Sequence, residues 1–562
     1  MKRSFGLVVV AGLVVLGFGI PASAGGTSVS GYVGHPVKAS VARGGGGSST
    51  SPTAAMRRYL SNHRPSGDRA AFAAVKASIT AHATASSPAA ARRAIGLASI
   101  VRGWDGQYDL DWTPPQASGA VGPSSYVEVV SAKSAIYTRT GGLTTSATLN
   151  VLASAGSDCV WQPKVIYDPT LQVFFYAAVG WGNFYGPDLG CGVQSANKLY
   201  FGWSKTSNPT KLSSSWCHFS STIYGTNLPD AITLGDTQSF LVMGLNEWDS
   251  TGENLVGSDV MAWPKPTTPG TCAAPSGTRF AGIDDPGYNS SLIPESPVPV
   301  VQTDPSDTGY VLSADFDGAM GTCGAFGDGT CGTHLAAFTV GNSSGTPTLS
   351  AGSTVPVTQF DVPPDAPQKG SGYALSTLDA RLTQAMSGVD PTVGGSSAPG
   401  EIWTQQTVAG GAGAMVAWYE ISPGSLALDQ SGTVSGSATY VFNASISSDR
   451  NVASTGSPQF GDAMVLGFNT SSSTAVTAIK MLSKIGSGSA SKWTTVKSSG
   501  GPDYDWGCLT SPKECFWYGA AASPDPHSST KAHGQVWLAN QWNVKTTNSN
   551  VDARTRVWTA SP

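Results

Sequence analysis

The feature that most constrains this chain is internal repetition: three β-branched and aromatic runs, separated by turn residues, recur along most of it. The unit is clearest between Gln162 and Ser204, reading QPKVIYDP, then QVFFYAAVG, then, after a loop, NKLYFGWS. Its opening returns as DAITLGD from Asp230, DARLTQA from Asp379, NASISSD from Asn443 and GAAASPD from Gly519, with looser copies at Gln116 (QASGAVG) and Val298 (VPVVQTD). Short apolar runs bounded by turn residues read as strands. A repeat of several tens of residues means units that bury their apolar faces only against neighbouring copies. The expectation is an all-β, seven-bladed β-propeller over residues 104–562, one domain despite the length. The strand at Thr555–Thr559 is expected to close the ring against the blade begun near Trp112, so that no edge is left open.

Ahead of the repeats, Lys2 and Arg3 precede the apolar run LVVVAGLVVLGFGI, which ends at Pro21-Ala22-Ser23-Ala24. A basic start, a short apolar core and small residues at the end are the parts of a signal peptide over residues 1–24, so the chain is expected to be secreted or displayed at the cell surface. No other run approaches the roughly 20 residues a membrane span needs. Residues 25–50 are rich in Gly and Ser and read as a flexible linker. Residues 51–103 carry helix-start signals at Ser51-Pro52 and Ser87-Pro88, and a face shared by Phe72, Val75 and Ile79.

Net charge is only -4, charged residues are 12% of the chain, and no basic run is present to neutralise phosphates. Nucleic acid is therefore not an expected partner, and a monomer is expected. The eight cysteines of an exported chain, with no Cys-x-x-Cys spacing, favour disulfides over zinc. Cys323 with Cys331 and Cys508 with Cys515 lie close together within single loops. Cys159 and Cys191 fall on one face of the ring, which leaves Cys217 and Cys272 to pair by elimination.

That face carries the long loops between second and third strands, and it is the expected ligand face. Aligning the openings puts Gln116, Gln162, Asp230, Val298, Asp379, Asn443 and Gly519 in one column, and Ser118, Lys164, Arg381 and Ser445 two positions on. First strands begin at the mouth of the central channel, so Gln162, Lys164, Asp230, Asp379, Arg381 and Asn443 should form a polar ring there. Such a ring can hold a ligand, or it can simply hydrogen-bond neighbouring blades together. Trp181, Phe184, Tyr185, Trp248 and Trp542 fall at or just after the ends of second strands. Beside Asn246-Glu247 and Asn540-Gln541 they would offer flat faces on which a sugar ring stacks. Glycoside cleavage requires a carboxylate pair about 5 to 9 Å apart, for which Asp230, Asp379 and Glu247 are eligible. A lyase would use a base beside a cation that neutralises a uronate, Lys164 or Arg381. No cofactor is required. Calcium is the one candidate, at Asp315-Phe316-Asp317-Gly318, which resembles the start of a calcium loop but lacks the later ligands.

The phrases GAVGPSSYVEVV, LDARLTQA, WYEI and FNASISSD, spread over roughly residues 112–545, resemble the recurring phrases of a group of exported bacterial β-propeller proteins. The resemblance implies the fold and secretion. That group has no assigned activity, so it transfers no functional residue. Two classes of function stand: a secreted module binding an extracellular glycan or other polymer, and a glycoside hydrolase or polysaccharide lyase working in the same mouth.

Overall fold

The computed structural model describes residues 27–33, 35–36, 98–108, 114–184, 191–252, 254–283, 296–315, 331–391, 400–452, 460–505, 508–510, 513–527, 533–544 and 553–562. The signal peptide, residues 51–97 of the helical segment, Tyr185, Cys323 and the Phe316–Gly318 part of the calcium-like loop lie outside the described residues. Among those described the chain is all-β, with one short helix at Leu149–Ala153.

Among the described residues, seven sheets of antiparallel strands follow one another along the chain. Sheet 1 holds Ser118–Val121, Ser125–Val130, Lys133–Thr138 and Leu143–Thr148. Sheet 2 holds Val160–Asp168, Val173–Gly180, Lys198–Ser204 and Trp216–Ser221, and sheet 3 holds Leu228–Asp236, Phe240–Trp248, Leu255–Pro264 and Ser276–Ala281. Sheet 4 opens with Val298–Pro299, continues through Gly309–Asp315 and Cys331–Ser343, and ends with Thr346–Leu349 and Ser353–Asp361. Sheet 5 holds Leu382–Val389, Gly400–Gly410, Gly413–Ser422 and Ala427–Val434, and sheet 6 holds Tyr440–Ser448, Ala463–Ser471, Ala478–Ile485 and Thr494–Ser498. Sheet 7 is Ala521–Pro524, Val536–Asn543, Ala553–Ser561 and, from the other end of the chain, Ser99–Tyr108. First strands neighbour one another in chain order, and that of sheet 7 returns to that of sheet 1.

Closure uses a different partner from the one expected. Ala553–Ser561 pairs with Ser99–Tyr108, a strand lying ahead of the first repeat and beginning five residues before the expected boundary at 104. Glu128 of sheet 1 holds the junction, accepting from Gln107 N at 2.8 Å and Thr555 Oγ1 at 2.6 Å. Part of the presumed linker is also paired: Thr27–Val33 lies along Ser276–Ala281, and His35–Pro36 along Trp216–Ser221. An eighth, small sheet joins Ala366–Pro367 and Ala374–Leu375 to a hairpin of Cys508–Thr510 and Lys513–Cys515.

The repeat has two structural signatures. Near the start of every first strand one residue has positive φ: Gln116, Gln162, Ala231, Ser296, Ala380, Asn443 and Gly519, between 47° and 111°. In sheets 2, 3 and 6 the register of pairing slips there, as at a β-bulge. Six of these residues are not glycine, and neighbouring sheets hold them in a region that costs L-residues energy. The equivalent column therefore runs through Ala231, Ser296 and Ala380, and Asp230 and Asp379 stand one residue ahead of it.

The second signature is an aspartate at the far end of the first strand: Asp168, Asp236, Asp304, Asp390, Asp449 and Asp525 in six of the seven repeats. Four of these carboxylates accept main-chain or cationic donors from the next sheet. Asp236 takes Gln302 N at 2.8 Å, Asp304 takes Val389 N at 2.9 Å, Asp449 takes Gly534 N at 2.9 Å, and Asp525 takes an Arg139 nitrogen at 2.5 Å. Lys265 bridges Asp168 and Asp236 at 2.6 and 2.7 Å.

Among the described residues, three disulfides join Cys159 to Cys191, Cys217 to Cys272 and Cys508 to Cys515. They do not share a face. Cys217 pairs in register with Trp203, at the end of the third strand of sheet 2, so its bridge to Cys272 ties sheets 2 and 3 at the face where first strands end.

Candidate functional site

At the mouth where first strands begin, the polar residues bind one another. Gln162 Nε2 donates to Asp230 Oδ1 at 2.5 Å, linking sheets 2 and 3. Arg381 forks onto both oxygens of Asp379 at 2.7 and 2.8 Å and reaches Ser296 Oγ at 2.8 Å, linking sheets 5 and 4. Asn443 Nδ2 donates to Asn469 and to Asn540 at 2.9 Å each, and its Oδ1 accepts from Gly519 N at 3.0 Å, linking sheets 6 and 7.

Tyr518 covers this mouth, and sequence reasoning did not find it. Its hydroxyl accepts from Gln116 of sheet 1, and burial followed by the Asp230 charge drives its pKa far up, while the Arg381 charge opposes this. A phenol that opens sheet 7, touches sheet 1 and feels charges from sheets 3 and 5 can only lie over the ring's axis. The adjacent Phe516 packs into the apolar cluster of sheets 2 and 3. The segment that crosses the mouth leaves the disulfide hairpin of the eighth sheet, and no local pattern in the sequence announces it.

The remaining candidates are not gathered there. Glu247 turns outward, accepting from Asn227 Nδ2 at 2.8 Å and pairing with Arg279, which also holds Asp259 at 2.8 Å. Asp230, Asp379 and Glu247 thus each have a separate partner. Trp181, Trp248 and Trp542 are 1%, 2% and 7% exposed, so they are packing residues and not an open stacking platform. Trp181 stacks on Trp161 with ring centroids 6.2 Å apart and donates to Pro229 O at 2.8 Å. Trp542 donates to Thr555 O at 3.3 Å under the Lys497 ammonium. Strand ends look exposed in a sequence, but here adjacent sheets cover them.

Below Tyr518 lies the channel, an open cavity running from Ser118, Lys164 and Thr233 to Pro169, Val452 and Pro526 at the ends of first strands. Val165, Ile166, Val298, Val301 and Met386 give it apolar walls, while Ser118, Thr233, Thr303 and Thr383 add hydroxyls. Lys164 points a cation into this space. Burial alone lowers its pKa to about 8, and no carboxylate among the described residues pairs with it. The channel's lining reaches the ends of first strands, the face opposite to the one expected to hold a ligand.

A second charged cluster lies on sheet 5 at that same far end. Glu401 and Glu420 are each 6% exposed, and one oxygen of each carboxyl has no hydrogen-bond partner. Burial, then a hydrogen bond with Asp429 and the charges of Asp429, Glu420 and Asp390, pushes Glu401 up to about 9. Burial pushes Glu420 up to about 7, against the pull of Lys484. Between the unfolded value of 4.5 and these folded values the native state binds more protons than the unfolded one. Stability from this cluster is thus full below about pH 4.5 and is lost as pH rises towards about 9. Glu401→Gln, which stays neutral, should flatten the fall of Tm between about pH 5 and 9 and raise Tm at the alkaline end by about 2–4 °C. Parallel wild-type and variant curves would contradict the cluster's role.

No family model matches the chain and no curated protein matches it. Among solved structures it is similar to Trypanosoma rangeli sialidase in complex with the inhibitor DANA, at 8% identity and a TM-score of 0.33, over 79% of this chain and 58% of that one. The chain thus matches a little over half the length of that protein. The hemagglutinin-neuraminidase of parainfluenza virus 5 follows at 9% identity and 0.31, covering 73% and 94%, and Synechocystis apocarotenoid oxygenase at 8% and 0.33, covering 68% and 74%. At these scores the likenesses carry no argument about residues or substrate.

Proposed function

We propose that this protein is a secreted, monomeric seven-bladed β-propeller that binds an acidic unit of an extracellular glycan in its central channel without transforming it. The reading rests on Lys164, a cation without a counter-charge among the described residues, inside a mostly apolar cavity. Holding that charge away from water is costly, and an anionic ligand offsets the cost. Hydroxyls on the same walls suit a polyhydroxylated ligand, and the apolar walls suit its CH faces. Catalysis is the weaker reading because Asp230, Asp379 and Glu247 are spent on Gln162, Arg381 and Arg279 rather than facing one another across the cavity.

The test uses oligogalacturonate, its methyl ester and a neutral cello-oligosaccharide as probes, following heat on mixing and release of new sugar ends together. Binding of the acid form alone, weakened by salt and without product, is the expected result. Equal affinity for acid and ester removes the role of Lys164, and new ends would make the protein a hydrolase or lyase.

A further inference from the structure

Where first strands end, the aspartates of sheets 2, 3, 4 and 7 each have a side-chain cation: Lys265 for Asp168 and Asp236, Arg450 for Asp304 at 2.6 Å, and Arg139 for Asp525. Sheet 6 departs from this rule. Asp449 is completely buried, yet beside it stand a second carboxylate, Asp462, and the imidazole of His533. Ligating atoms of the three side chains all lie within 4.8 Å of one another, and His533 Nδ1 is 3.8 Å from Asp449 Oδ2.

We propose that Asp449, Asp462 and His533 bind a divalent transition-metal ion that supplies a cation to this lock and ties sheet 6 to sheet 7. Two carboxylates and a neutral imidazole balance a divalent charge. The nitrogen ligand selects zinc over calcium and magnesium, which prefer oxygen alone. Bonds of about 2.1 Å set ligand atoms roughly 3.4 Å apart on a tetrahedron, so the observed separation closes with a small movement of the partly exposed His533. Main-chain N–H groups of Gly461, Ala463 and Gly534, at 2.8, 3.4 and 2.9 Å, already fix the Asp449 carboxylate. Its Oδ2, which accepts from Gly534 alone among these, keeps a further lone pair for a metal. The site lies on sheets 6 and 7 and is independent of ligand binding in the channel.

The test is calorimetric titration of the chelator-treated full-length protein with zinc, with manganese and calcium as separate arms, alongside melting curves. The expected result is one zinc per chain, a higher Tm with zinc, and much weaker calcium binding. His533→Ala and Asp462→Asn should each weaken zinc at least tenfold, whereas His527→Ala should not. Asp462 is only partly buried, so its variant separates lost binding from lost folding. Absence of stoichiometric zinc binding overturns the proposal, as does zinc binding that survives both substitutions. It is equally overturned if Tm ignores zinc and rises only on acidification, because the imidazolium would then itself be that cation.

Discussion

Lys265→Met should destabilise the protein by about 3–5 kcal/mol at neutral pH, because it strands buried carboxylates that share one cation. Asp168 and Asp236 lie 2.6 and 2.7 Å from the Lys265 ammonium, and all three side chains are 4% exposed or less. Even with the lysine present, burial outweighs its pull and raises Asp236 to about 6. Without it, at least one carboxyl must take up a proton before the sheet 2–sheet 3 junction can close. The loss should therefore be largest near pH 7 and shrink as pH falls through the raised Asp236 value, since protonation removes the uncompensated charge. Urea unfolding at about pH 7 and pH 5 measures this directly. Adding Asp236→Asn should recover part of the loss at pH 7. A cost below about 1 kcal/mol would mean that water reaches the pair and the lock is a surface ion pair.

Trp181→Ala should cost about 3–5 kcal/mol, as expected for an indole removed from a closed core. The ring is 1% exposed and packs among Trp161, Phe219, Leu228 and Trp248. Trp181→Phe should cost less, because it leaves a smaller void, though it forfeits the bond to Pro229 O. At temperatures where the variants remain folded, affinity for oligogalacturonate should match the wild type. A near-normal melting curve with lost binding would restore Trp181 to an open ligand surface.

What could be read from the sequence follows from how far each interaction reaches. Runs such as VFFYAAV declare strands locally, and their recurrence declares the ring of sheets. The aspartates of YDP, LGD, QTD, SSD and SPD were equally visible, but as turn residues, because only neighbouring sheets reveal Gln302, Val389 and Gly534 as their donors. Alignment of the openings slipped at Ala231, Ser296 and Ala380, because a single positive-φ residue leaves no mark on the local pattern. The tryptophans misled for a related reason: the end of a strand looks like a loop until the adjacent sheet covers it. Tyr518 and the closing strand Ser99–Tyr108 depend on contacts between distant parts of the chain, which no periodicity encodes. Lys164 was legible as a cation near the mouth, but not as one shut in a channel without a counter-charge among the described residues.

The most direct test of the account is calorimetric binding of oligogalacturonate to the wild type and to Lys164→Met across about pH 6 to 10. The cation binds the anion only while protonated, so wild-type affinity should hold below pH 8 and fall above it, following the Lys164 value of about 8. Lys164→Met keeps the stem and the fold and should bind at least tenfold more weakly at pH 6, with no pH dependence, as one lost charge-assisted contact implies. Equal affinity in the two proteins, or a wild-type affinity that does not change through pH 8, would contradict a channel organised around Lys164.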